Sequence, residues 1–82
     1  MPRETPHLTQ RQGQYLAFIY YYSKINRRPP AEADIQRYFS VSAPTVHQMV
    51  LTLEAAGVVE RTAGRARSLR VLVPAVQLPE LE

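Results

Sequence analysis

The stretch SAPTVHQMV, residues 42–50, decides the fold, because it reads as a helix with a proline inside it. Val46, Met49, Val50 and Leu53 fall at i, i+3, i+4 and i+7, the spacing of a helix with one face in a core. Gly57 sits just past the last turn, where a left-handed glycine commonly closes a helix. Proline is tolerated in a first turn, where its missing N–H would have no intrahelical partner. The helix therefore begins at Pro44 or one residue earlier. Ser42 is the favoured cap, since its hydroxyl reaches the N–H of Thr45. Ala43 is the alternative, because a residue before proline avoids helical angles.

Pro44, His47, Gln48, Leu51 and Ala55 face away from the apolar stripe, with Thr45 and Thr52 on a flank. This outward face carries no charge until Glu54. An ordinary solvated face would hold more Lys and Glu. Uncharged, short side chains at a helix N-terminus suit insertion into a groove whose walls are phosphates.

Working upstream, AEADIQRYF (31–39) is a short helix with Ala31, Ile35, Tyr38 and Phe39 on one face. Glu32 and Asp34 lie in its first turn, where the helix dipole favours negative charge. Ala31 offers no side-chain cap. A longer helix precedes it. Thr9 and Gln12 fit a capping box, and Leu8, Tyr15, Ile19 and Tyr22 form its stripe, flanked by Leu16 and Phe18. Gly13 costs that helix about 1 kcal/mol against alanine. NRRPP (26–30) then breaks it.

Downstream of Gly57 the period switches to two. VVERT (58–62) reads as a strand, AGRA (63–66) as a turn and RSLRVLV (67–73) as the returning strand, which Pro74 stops. Residues 1–7 are expected to be a flexible segment, and PAVQLPELE (74–82) a mobile tail. The fold class is α+β, mainly α: three helices followed by a two-stranded hairpin over residues 8–73. With only SVS between the second and third helices, this is the order of a winged helix-turn-helix.

Eighty-two residues suffice for one small domain with a modest core. The chain has no cysteine and two histidines, His7 and His47, far apart, so a metal site is not expected. No run approaches a membrane span, and MPRETPHLTQ (1–10) lacks the apolar centre of a signal peptide. Catalysis is not expected either. Asp34 is the single aspartate, and no glycine pattern cradles a phosphate.

The net charge is +3, but its placement matters more. Residues 61–70 hold Arg61, Arg65, Arg67 and Arg70 and no acid, and Arg27 with Arg28 forms a second pair. Such runs are either solvated faces or edges that bind phosphate. Arg65 and Arg67 at the wing tip, then Arg70, Arg27 and Arg28, are the candidates for DNA backbone contact. Arg61 has Glu54 and Glu60 as alternative partners. YYY (20–22) cannot all be core, since successive helix positions turn by about 100°. Tyr20 and Tyr21 are expected outward beside Gly13, Ala17 and Lys24. That face is either amphipathic surface or a homodimer contact.

LTQRQGQYLAFIYYYSKINRRPPAEADIQRYF (8–39) resembles the start of the DNA-binding domain of the LexA repressors, which opens with Leu-Thr-x-Arg-Gln and carries a Pro-Pro pair before its second helix. SAPTVHQMVLTLEAAGVVERTAGRARSLRVL (42–72) is similar to their recognition-helix and wing sequence, with Thr45, Val46, His47, Leu53, Glu54, Gly57 and Arg61 matching in place. The Thr-Val and Leu-Glu-x-x-Gly parts recur in other winged-helix regulators, such as the MarR group. The resemblance implies a prokaryotic, repressor-like regulator in the cytoplasm, with double-stranded DNA as partner; no cofactor is expected and no small-molecule effector is evident in the sequence. It implies a third helix in the major groove and a wing on the backbone or minor groove. Carried over by position, the base-reading candidates are Ser42, Pro44, Thr45, His47 and Gln48.

LexA proteins continue into a self-cleaving peptidase domain that also dimerises them. These residues hold no such machinery, Lys24 being the single lysine, so self-cleavage is not expected of them. The alternatives from other classes are a winged helix used for protein interaction and an architectural DNA-binding accessory.

Overall fold

The fold is that of a computed structural model, which describes residues 8–82; the expected flexible segment 1–7 lies outside the described residues. Its order is α1 (Gln10–Asn26), α2 (Glu32–Phe39), α3 (Ala43–Ala55), β1 (Val59–Glu60), β2 (Arg70–Val71) and a short 3-10 turn (Ala75–Gln77).

Each helix starts for a local reason. At α1, Thr9 Oγ1 accepts from the Gln12 N–H at 3.1 Å and Gln12 Oε1 accepts from the Thr9 N–H at 2.9 Å. At α3, Ser42 is the cap, and its hydroxyl accepts from the Thr45 N–H at 3.3 Å, with Pro44 in the first turn. At α2 only half of a capping box exists, because Ala31 has no acceptor. Asp34 Oδ2 reaches back to the Ala31 N–H at 2.8 Å. Arg27 and Ser40 end α1 and α2 in the left-handed region, at φ 58° and 56°. Gly57 follows α3 at φ 77°, a conformation glycine adopts without a steric cost.

The core joins Tyr15, Leu16 and Ile19 of α1 to Ile35, to Val46, Val50 and Leu53 of α3, and to Val58, Val59 and Leu69 around the wing. Tyr15 stacks on Phe39 with centroids 4.2 Å apart and rings parallel within 1°. Arg11 caps that stack, 5.0 Å from the Phe39 centroid. The Tyr15 hydroxyl is buried with no partner among the described residues.

Two expectations change. The wing ladder is shorter than the alternation predicts, pairing only Val59 with Val71 and Glu60 with Arg70. Beyond them, Ser68 takes over the hydrogen bonding. Its hydroxyl accepts from the Thr62 N–H at 2.9 Å and lies 2.9 Å from the Arg65 carbonyl. Arg67 adopts a left-handed φ of 54°, which no continuous strand allows.

The second change concerns the tail 74–82, whose last five residues, 78–82, pack instead of hanging free. Gln14, only 6% exposed, donates through Nε2 to the Glu80 carbonyl at 2.8 Å and accepts the Glu82 N–H at Oε1 at 2.8 Å. Tyr38 donates to the Glu82 carbonyl, and Leu78 and Leu81 rest against the core.

Candidate nucleic-acid interface

The first half of α3 builds the site. Ser42, Pro44, Thr45, His47 and Gln48 are all exposed, while Val46 among them and Val50 just after them are fully buried. The buried pair fixes the rotation of the helix, and so the direction in which the exposed set points. Ser42 Oγ and Thr45 Oγ1 lie 2.8 Å apart, so the two hydroxyls share a hydrogen bond and hold each other. Pro44, Thr45 and Gln48 border a shallow depression whose far wall is Gln12 of α1.

His47 is tied at one nitrogen. Its Nδ1 lies 3.2 and 3.3 Å from the two carboxylate oxygens of Glu32, the first residue of α2. Glu32 in turn borders a second depression with Arg61, Arg65 and Arg67. The exposed face of α3 therefore continues through the start of α2 to the wing.

The arginines separate by environment. Arg65 is exposed and makes no ion pair among the described residues. Arg27 and Arg28 are likewise exposed and border a groove between the end of α1 and the wing. Arg70 pairs with Glu60 across the ladder, and Arg61 Nε lies 3.3 Å from Glu54.

Arg67 requires a correction. Its expected place was a phosphate, but its guanidinium turns inward. Nη1 donates to Asp34 at 3.0 Å and lies 3.3 Å from both the Tyr22 hydroxyl and the Pro29 carbonyl. This one side chain ties the wing to α1, to the prolines and to α2. The Tyr22 hydroxyl, and then Asp34, hold its pKa above the ordinary arginine range against desolvation. The Asp34 carboxyl is held below its ordinary value, first by the Ala31 amide, with Arg37, Arg67 and Tyr22 adding to this against burial.

The expected dimer face also requires correction. Gly13 and Ala17 are buried. A Cβ on Gly13 would stand 3.1 Å from Pro79 Cγ, so the C-terminal segment covers the ground that a partner was expected to take. Tyr20 is half-buried, with Tyr21 edge-on to it at 5.0 Å, and Tyr21 is 37% exposed. The residues that sequence reasoning missed are Gln14, Glu32 and the Asp34–Tyr22 pair that receives Arg67. A carboxylate at the third helical position after a capless alanine was the available signal for Asp34. Nothing in the sequence pointed to Gln14.

Among the described residues, no group of three or more His, Cys, Asp or Glu is placed to hold a metal ion, and no helix is long and apolar enough to cross a membrane. The helical pair α2–α3 with an antiparallel hairpin behind it defines a winged helix-turn-helix domain of the DNA-binding type.

Comparison with known proteins makes the assignment particular. A family model, the LexA DNA binding domain, matches residues 5–68. The LexA repressor of Aromatoleum aromaticum is 40% identical over 73 residues, covering 88% of this chain and 36% of its own length. That of Thermotoga petrophila is 36% identical over 64 residues, covering 78% of this chain and 32% of its own. The chain belongs to the LexA DNA-binding-domain family. It spans about a third of the length of these relatives.

Proposed function

We propose that this chain binds double-stranded DNA sequence-specifically, as the operator-reading part of a repressor-type regulator. The N-terminal half of α3 enters the major groove, where Thr45, His47 and Gln48 read base edges with Ser42 and Pro44 beside them. Arg65 on the wing contacts phosphate, and Arg27, Arg28 and Arg70 lie along the flanking backbone. The observation that supports this best is an uncharged, exposed helix face continuous, through the start of α2, with unpaired arginine on the wing. A two-fold site would engage a second copy. With Gly13 and Ala17 covered, only Tyr20 and Tyr21 of the expected contact set are open to it.

The test is fluorescence anisotropy with a random-sequence duplex across salt concentration. Each neutralised phosphate contributes about −0.9 to the slope of log affinity against log salt. A steep negative slope supports the reading. Absence of binding at low salt overturns it for this chain and turns attention to a protein partner.

A further inference from the structure

One carboxylate stands on the face that is otherwise uncharged or basic. Glu32 is half-buried between α3 and the wing, with both its oxygens 3.2–3.3 Å from His47 Nδ1. An acid at this place opposes the approach of phosphate, so its contribution lies with its partner. An ionised carboxylate only accepts hydrogen bonds. In the neutral imidazole the ring nitrogen that faces it therefore carries the hydrogen, and the other, Nε2, keeps its lone pair. Nε2 has no partner among the described residues, and the His47 side chain is 52% exposed.

We propose that Glu32 is a specificity-determining positioning residue. By accepting from Nδ1 it selects the His47 tautomer that presents Nε2 outward as an acceptor. In the major groove an acceptor matches the amino group of cytosine or adenine and not the O6 and N7 acceptors of guanine. Without the carboxylate both neutral tautomers are open, and the Nε2–H form donates to guanine O6 or N7 instead. The inference rests on the DNA-reading proposal above and adds a base class to one of its positions.

Two measurements test it. The first is the imidazole nitrogen-15 spectrum of the free protein at pH 8, in a His7→Gln background that leaves a single imidazole. The expected spectrum shows protonated Nδ1 and bare Nε2, with Glu32→Ala giving a mixture or the opposite tautomer. The second is selection of binding sites from a random duplex pool. Glu32→Ala is expected to lower the preference for a cytosine or adenine edge at one position by at least about five-fold. In a His47→Ala background the same substitution leaves the selected sequence unchanged. An Nε2–H tautomer in the unmutated protein, or an unchanged selection by Glu32→Ala, overturns the role of Glu32 and leaves DNA reading intact. Failure of every variant to bind any duplex overturns the DNA reading and this role with it.

Discussion

Arg65 and Arg67 stand two residues apart on the wing and do different things. Arg65 is free at the surface, whereas Arg67 is committed to Asp34, Tyr22 and Pro29. Replacing Arg65 with alanine should weaken binding to all sequences and lower the salt slope by about 1. Arg67→Ala should instead lower the melting temperature and leave that slope nearly unchanged, because the wing loses its anchor and not its phosphate contact. Asp34 makes the same network sensitive to acid. Its carboxyl titrates below 3.8, first because the Ala31 amide donates to it. A depressed carboxyl stabilises the fold above its unfolded pKa, and the contribution is lost as the pH falls through the folded one. Stability should therefore decline as the pH drops below 3.8, and Asp34→Asn should flatten that decline in denaturant titrations run at each pH. Tyr15 offers the opposite case. Its hydroxyl is buried without a partner among the described residues, so Tyr15→Phe should raise unfolding stability by about 1 kcal/mol in urea.

At the scale of elements, α3 was the most legible part of the sequence. Its stripe, its serine cap, its first-turn proline and its closing glycine are all as the spacing predicts, because each depends on residues within one or two turns. Ser42→Ala should cost about 1 kcal/mol through loss of the cap. Leu53→Ala should cost about 2–5 kcal/mol, since Leu53 is fully buried in the core. Thermal or chemical unfolding measures both. The wing was less legible. Alternation alone extends its strands, but Ser68 and the inward turn of Arg67 end the ladder after two pairs. Those are demands of side chains that only meet once the chain has folded. The outward face of α1 departs from the expectation for a related reason. Gly13 and Ala17 lie off the apolar stripe, yet the C-terminal segment closes over Gly13, so a helix with one stripe is buried on more than one side.

For the whole molecule, the docking of residues 78–82 on α1 stabilises the scaffold without a contact to Ser42, Thr45, His47 or Gln48. Gln14 holds this segment by both ends of its amide, in a pairing with Glu80 and Glu82 that no local pattern announces. Gln14→Leu should remove the hydrogen-exchange protection of the Glu82 amide and leave the affinity for DNA unchanged. In the proposed complex one continuous face, from Ser42 to Gln48, through Glu32, to Arg65, meets the duplex. Amide chemical-shift mapping of the protein titrated with duplex DNA tests this placement. The largest shifts are expected on residues 42–48, on 31–32 and on 62–66. Shifts centred on Tyr20, Tyr21 and the C-terminal segment, or none at all at low salt, would contradict it.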